Sequence, residues 1–172
     1  MEKIGMAVAC LLVVACMAEA TQVRSGFESD FSGWTTQGNG WSITDKSVFE
    51  GKKAALCTIP KGDPAGLKAC AFLVEKAAAG WVVKADFQVA GKTKDGSSLT
   101  ASLVCIDAQG NILREEKKTL TNPPNEFRAL SLPEVIVPSG TAETYLMLVV
   151  ELKEPARSKE WWLFDNVVIH ID

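Results

Sequence analysis

The sequence predicts an all-β protein in which two antiparallel sheets pack face to face. Short apolar runs alternate with Gly, Pro, Asn and Asp along the chain, which is typical of many short strands joined by turns. Roughly eight to ten such runs recur at spacings of about 8–12 residues, and this favours a sandwich of two sheets. A parallel sheet would need helical patterns between the strands, and only residues 75–79 tolerate a helix.

Three segments show the alternation of a half-buried strand most clearly. In residues 81–90, 99–106 and 145–153, every second side chain is apolar, so one face of each strand is expected in the core. Residues 107–111 indicate a hairpin turn that leads into the charged strand 112–120. The remaining predicted strands are 41–44, 54–59, 127–132, 135–137 and 161–171.

Residues 1–20 predict a signal peptide. Lys3 supplies a positive charge, residues 4–17 form an uncharged apolar run, and Ala18-Glu19-Ala20 has the small-x-small pattern that signal peptidase recognises. The apolar run is shorter than the ~20 residues of a spanning helix. We therefore expect a secreted or periplasmic protein with a single domain over residues 21–172.

A second processing signal overlaps the first. Val13-Val14-Ala15-Cys16 resembles a bacterial lipobox, in which the cysteine is lipidated. The alternative localisation is therefore a lipid anchor at the cell envelope through Cys16.

Charge and composition exclude several classes of protein. The formal net charge is −3, without a basic excess, so nucleic acid is not an expected partner. An apolar fraction of 47% excludes wholesale disorder.

Beyond the signal peptide the chain has three cysteines. Cys57 and Cys70 flank the turn-rich stretch 60–66, so they would form a disulfide if their strands pair as a hairpin. The alternative is that these two and Cys105 are small buried apolar residues. Their spacing matches no zinc site.

No catalytic constellation is evident, and we expect a protein that is not an enzyme. The one histidine, His170, is predicted to be a half-exposed strand residue. No nucleophile-elbow serine or phosphate-binding loop accompanies it. Asp86 and Glu151 lie on strand faces, but two such carboxylates alone do not indicate a glycosidase.

Two motifs near the chain ends point to a known family. Gly26-Phe27-Glu28, followed by Gly33-Trp34, stands near the start, and Phe164-Asp165-Asn166-Val167 stands near the end. Together they resemble jelly-roll carbohydrate-binding modules of families 4, 9, 16 and 22, which share the galactose-binding-like sandwich. The resemblance implies adjacent chain ends and non-catalytic binding of a poly- or oligosaccharide. A one-residue phase slip between Phe164 and Val167 predicts a bulge in the last strand.

The resemblance also implies a structural calcium ion. In several such modules, carboxylates at the positions of Glu28 and Asp165 hold Ca²⁺ together with backbone carbonyls. The alternative is that Glu28 caps a turn and Asp165 accepts backbone hydrogen bonds.

A sugar site needs an aromatic platform with polar groups around it. Trp34, Trp81 and Trp162 are predicted to be buried, which leaves Trp41 and Trp161 as candidates for exposure. The concave sheet face is the expected site, although an ordinary solvated face would have the same pattern. The predicted ligand-binding residues are Tyr145, Trp161, Trp41, Lys84, Asp86, Gln88 and Glu151. The alternative function is that of an exported structural or protein-interaction domain without a sugar ligand.

Overall fold

The computed structural model describes residues 20–75, 77–94 and 96–172, and the predicted signal peptide with Cys16 lies largely outside them. The described residues form strands and no helix, which confirms the all-β prediction. In these ranges no helix is long and apolar enough to cross a bilayer. The strands are β1 (Thr21–Ser25), β2 (Trp34–Gln37), β3 (Trp41–Thr44), β4 (Ala54–Ile59), β5 (Gly66–Leu73), β6 (Val82–Lys92), β7 (Ser98–Ile106), β8 (Ile112–Leu120), β9 (Arg128–Ser131), β10 (Val135–Ile136), β11 (Glu143–Leu152) and β12 (Glu160–Ile171).

The strands form two antiparallel sheets. One has seven strands, in the order β10-β6-β12-β4-β3, with β1 paired to β12 and β9 paired to β6. The other has five strands, in the order β2-β5-β11-β7-β8. The predicted sandwich of two antiparallel sheets is thus confirmed.

The chain ends lie side by side because β12 changes partner along its length. Its first half pairs with β4, and its second half pairs with β1, from Val167 opposite Ser25 to Ile171 opposite Thr21. A register shift between Asp165 and Val168 separates the halves, and Asn166 there has a φ of 45°. The predicted bulge is confirmed.

The core lies between the two sheets and is built by strict alternation. On β11, Leu146, Leu148 and Val150 are at most 1% exposed, and Val83 and Phe87 of β6 meet them from the other sheet. Each such burial stabilises the fold by about 1.5–3 kcal/mol.

Aromatic rings close one end of the core. Trp34 is 7% exposed, as predicted, and its ring centroid lies 5.3 Å from those of both Phe27 and Phe72. Gly33 precedes it at a φ of 79°, and a Cβ there would lie 2.7 Å from Phe72 Cε2. The glycine therefore permits both the turn and the close packing of the N-terminal segment.

The cysteines are buried thiols. Cys57 is on β4 of the seven-stranded sheet and Cys70 is on β5 of the five-stranded sheet, so the hairpin on which a disulfide depended does not form. Both are free and fully buried, as is Cys105. Burial raises the pKa of Cys57 and of Cys70 to about 12.

The predicted turn at 107–111 is also confirmed. Asp107 Oδ1 accepts the backbone N–H of Gln109 at 2.9 Å and that of Asn111 at 2.8 Å. Hydrogen bonds, first of all from the Asn111 side chain, hold the pKa of Asp107 below its usual value. The turn brings β8 alongside β7 as the edge strand of the five-stranded sheet.

Candidate functional site

The predicted ligand-binding residues do not form one groove. Lys84, Asp86 and Gln88 are on β6 in the seven-stranded sheet, whereas Tyr145 and Glu151 are on β11 in the five-stranded sheet. Their side chains point away from the core on opposite outer faces. The prediction of one shared face was wrong because alternation tells which side chains point outward and not which sheet a strand joins.

Trp41 is also placed differently from the prediction. It is in phase with the inward side chains of β4 and β12, and its ring packs 5.7 Å from that of Phe164 and 6.4 Å from that of Phe31. The expectation of an exposed platform at Trp41 was therefore wrong. Trp162 is fully buried, as predicted, and Trp81 is partly buried against the core.

The outer face of the five-stranded sheet is shallow and carries small side chains. Tyr145 is the aromatic residue that points outward from its described strands, and its hydroxyl donates to Glu143 Oε2 at 2.6 Å. That hydrogen bond raises the pKa of Tyr145 above its usual value. Across from the outward positions of β11 lie residues such as Ala69 and Ala71 of β5 and Ser102 of β7.

The outer face of the seven-stranded sheet is partly covered by its own apolar cluster. Ala54, Ala90 and Leu163 are buried there, although they point away from the main core. Four partly buried side chains pack on them, namely Val48, Leu56, Phe127 and Trp161. This cluster makes the face apolar at the end where β12 begins.

A cleft of about 240 Å³ lies beside this cluster, and we refer to it as the Trp161 cleft. Trp161 is half-buried and lies opposite Thr58 of β4 and Lys92 of β6. Its indole therefore stands among polar side chains on an open sheet face. The lining residues are Thr44, Lys46, Ser47, Leu56, Thr58, Lys159, Trp161 and Leu163.

The predicted polar residues of β6 take part in exposed ion pairs. Lys84 Nζ lies 3.2 Å from Glu134 Oε2, and Asp86 Oδ2 lies 3.9 Å from His170 Nε2. His170 is half-exposed, as predicted. Lys84 and Asp86 lie nearer the start of β6 than Lys92, the residue opposite Trp161.

Asp165 and Glu28 hold the segment between β3 and β4 by hydrogen bonds to its backbone, and we refer to these hydrogen bonds as the clasp. Asp165 is fully buried, and its Oδ2 accepts the backbone N–H groups of Phe49 at 2.8 Å and Glu50 at 3.0 Å. Both carboxylate oxygens of Glu28 accept the backbone N–H of Lys52 at 3.0 Å. Burial raises the pKa of Asp165, although the N–H donors act in the opposite direction.

The two carboxylates border a cleft of about 250 Å³ that Glu50 and Gly51 also line. The donor set is all oxygen, which suits Ca²⁺. A Cβ at Gly51 would lie 1.9 Å from Glu28 Oε1, so a glycine is needed for the close approach. Within the described ranges, no three Asp, Glu, His or Cys side chains are grouped to hold a metal, so Ca²⁺ would need backbone oxygens or water as further ligands.

A buried carboxylate near the Trp161 cleft was missed from the sequence. Glu160 is fully buried and accepts the backbone N–H of Lys94 and the Ser97 hydroxyl. Ser97 Oγ in turn accepts the indole N–H of Trp162 at 3.2 Å. The inward phase of Trp162 and Phe164 extends to Glu160, and that periodicity was the available signal.

No protein-family model and no curated protein matches the sequence, but solved structures share the fold. The C-terminal family 22 carbohydrate-binding module of Clostridium thermocellum Xyn10B matches with a TM-score of 0.63 and 15% identity, over 87% of this chain and 91% of the module. The family 61 module TmCBM61, in complex with β-1,4-galactotriose, matches with a TM-score of 0.58 and 19% identity, over 84% and 92% of the two chains.

A third match is a longer protein. The enzymatically active domain of tailspike protein 4 from bacteriophage CBA120 matches with a TM-score of 0.62 and 17% identity, over 86% of this chain. This chain spans 20% of the tailspike chain. These likenesses show that the chain has the β-sandwich fold of carbohydrate-binding modules, which confirms the fold that the terminal motifs implied.

Proposed function

We propose that this protein binds a poly- or oligosaccharide and does not catalyse its cleavage. The observation that carries the proposal is a fold shared over nearly the full length of dedicated carbohydrate-binding modules. One of these modules was solved with a bound galactotriose.

The geometry of the outer faces supports binding over catalysis. A half-exposed indole beside hydroxyl groups, as in the Trp161 cleft, provides a surface for the apolar side of a sugar ring and hydrogen-bond partners for its edge. A glycosidase needs two carboxyl groups about 5–9.5 Å apart on either side of the scissile bond. Asp86 and Glu151, the candidates on strand faces, are on opposite sides of the sandwich.

Calorimetric titration and a cleavage assay test this proposal together. We expect the protein to bind at least one of a panel of soluble polysaccharides and to release no reducing sugar from it. Release of oligosaccharides by the purified protein, at a rate that scales with its concentration, contradicts the non-catalytic part. Failure to bind any member of a broad glycan array contradicts the function itself.

A second candidate function is protein recognition. Ile112, Leu113 and Ile136 are exposed, and the last two line a cleft of about 490 Å³ between β8 and β10. Clustered exposed apolar side chains are typical of interaction sites. Absence of glycan binding, together with self-association that an Ile136→Glu substitution abolishes, is the result that favours this candidate.

We also propose that the cleft between Glu28 and Asp165 binds Ca²⁺. The support is that the carboxylates of Glu28 and Asp165 both line one cleft, where backbone oxygens or water can supply further ligands. A bound ion would stabilise the clasp on the segment between β3 and β4. We expect Ca²⁺ to raise the Tm after treatment with EDTA; an unchanged Tm means that the backbone N–H groups alone hold the two carboxylates.

Export is the remaining part of the proposed function. The support is the charge, apolar run and small-x-small pattern of residues 1–20. We expect intact-mass analysis of the natural product to give a chain that begins at Thr21. A diacylglycerol adduct on Cys16 supports the lipid-anchored alternative instead, and a chain that retains residues 1–20 contradicts both.

A further inference from the structure

We propose that the Trp161 cleft binds an anionic sugar residue, such as a uronic acid, within the glycan of the proposed function on which this inference rests. The proposal assigns the ligand to the outer face of the seven-stranded sheet and gives it a negative charge.

The cleft has an apolar floor with an aromatic side. Leu56 of β4 lies directly opposite Leu163 of β12, and the half-buried Trp161 occupies the outward position before Leu163 on β12. An indole held at one edge by the sheet offers its free face to a pyranose ring. A volume of about 240 Å³ suits one or two sugar residues and not a folded protein.

The two charged residues that line the cleft are both positive. Lys46 and Lys159 line the cleft, and Lys92 is the direct cross-strand neighbour of Trp161. All three side chains are exposed, and none of them forms an ion pair with a carboxylate of the described residues. No acidic residue is found among the described residues that line the cleft.

Three lysines elsewhere in the protein do have a carboxylate partner. Lys68, Lys84 and Lys117 each lie within 3.2 Å of a carboxylate oxygen. The chain as a whole has a formal net charge of −3. The three lysines form no ion pair with a described carboxylate and lie near one indole in an acidic protein, so they form a local field that attracts an anion.

Hydroxyl groups complete the cleft. Thr44, Ser47 and Thr58 line it, and Thr44 Oγ1 accepts the backbone N–H of Lys46 at 3.2 Å, which fixes the start of the segment that carries two of the lining residues. A ring hydroxyl can bond to Ser47 or Thr58 while the lysines contact a carboxylate. The opposite face instead carries Glu151, and its Lys117 is paired with Glu115.

The test compares uronate oligosaccharides with neutral oligosaccharides that have the same linkage and differ only at C6. β-1,4-Glucuronan oligomers and cello-oligosaccharides of equal length differ in the oxidation of C6, and oligogalacturonate and oligomannuronate extend the uronate panel. We expect at least one uronate oligomer to bind at least tenfold more tightly than its neutral counterpart. A Lys46→Gln/Lys159→Gln double variant should lose that preference, and added salt should weaken it.

Variants locate the site. Trp161→Ala should weaken uronate binding about tenfold or more, as expected for the loss of one stacking partner, and Trp161→Tyr should restore part of it. The control Tyr145→Ala, on the opposite face, should leave the affinity unchanged. Circular dichroism and the Tm of each variant establish that it is folded.

The outcomes separate the two proposals. Binding of neutral oligosaccharides with no gain from C6 oxidation overturns the anionic ligand and leaves the proposed function standing. Poly-glutamate that binds as tightly as the uronate oligomers, with no effect of Trp161→Ala, shows a charged surface with no sugar site. That result also overturns the anionic-sugar proposal. No binding of any glycan, charged or neutral, means that the proposed function itself has failed.

Discussion

The two outer faces of the sandwich are made by the same alternation of side chains, yet they differ in what covers them. On the seven-stranded sheet, outward positions such as Ala54 and Leu163 are buried under a second apolar cluster. On the five-stranded sheet, Tyr145 points outward and is half-exposed, and no second buried apolar cluster covers that face among the described residues. The face that gains a covering segment also gains a cleft at the segment's edge.

One buried carboxylate contributes to this difference. Asp165 holds the backbone of Phe49 and Glu50, so the segment between β3 and β4 lies across the sheet and presents Val48 to the apolar cluster. The five-stranded sheet has a charged edge strand, β8, where Lys117 pairs with Glu115. Such exposed pairs contribute little stability but keep an edge strand soluble.

The two outer faces are separate only if the two sheets stay packed against each other. Labelling of the buried cysteines tests this packing and has the largest expected effect. With their pKa raised to about 12, Cys57 and Cys70 have a very small thiolate fraction at pH 8. We expect alkylation of the native protein to be at least about a thousandfold slower than that of an unfolded chain. Site-resolved mass spectrometry measures the rate, and rapid labelling of either cysteine would show that the two sheets separate readily.

The covering segment should depend on Asp165. Asp165→Ala is expected to lower the free energy of unfolding by about 3 kcal/mol, because buried backbone N–H groups lose their acceptor. Asp86→Ala, an outward carboxylate of the same sheet, is the control and should cost less than about 0.5 kcal/mol. Urea denaturation in EDTA gives both values. Equal values for the two variants would mean that the hydrogen bonds of Asp165 do not stabilise the segment between β3 and β4.

A second pair of carboxylates contrasts an inward position of β12 with an outward position of β11. Glu160 accepts hydrogen bonds from Lys94 and Ser97 beside the Trp161 cleft, so Glu160→Ala should cost about 2 kcal/mol. Glu151→Ala, on the five-stranded sheet, should change stability by less than about 0.5 kcal/mol. If Glu160→Ala leaves the free energy of unfolding unchanged, the start of β12 tolerates the loss of the hydrogen bonds to Lys94 and Ser97.

The smallest expected effect is a rise in the pKa of the Tyr145 phenol. Tyr145 is the one tyrosine of the chain, so absorbance at 295 nm during a pH titration reports it alone. Its pKa should lie above 10, because the phenol donates to Glu143, and Glu143→Gln should lower it. A raised pKa in the folded state means that this hydrogen bond stabilises the protein below the unfolded pKa and that the contribution is lost as the pH rises.

The same titration sharpens the comparison of the faces. A glycan in the Trp161 cleft should leave the pKa of Tyr145 unchanged, since the phenol is on the opposite sheet. A ligand-induced shift in that pKa would place the ligand on the five-stranded sheet instead. Measurement with and without a saturating glycan distinguishes the two.

Some of the site was predictable and some was not. Trp161 was singled out because it follows a polar stretch and is out of phase with its inward neighbours, and the structure places it half-exposed at a cleft. Trp41 was given the same interpretation, but its four-residue strand is too short for its phase to be read reliably, and the ring packs on Phe164. Lys46 and Lys159 carried no local signal, since an exposed lysine looks the same in any loop.

The sequence by itself determined which side chains point inward on the longer strands β6, β7 and β11, where the turn at 107–111 lies and where β12 bulges. Those properties are local, because they depend on a period of two and on the backbone freedom of a few residues. Only the tertiary structure decided that β6 and β11 belong to different sheets, that Cys57 and Cys70 do not face each other across a hairpin, and that three lysines surround Trp161. Sheet membership depends on pairing between distant segments, and the alternation within a single strand is the same whichever partner it takes.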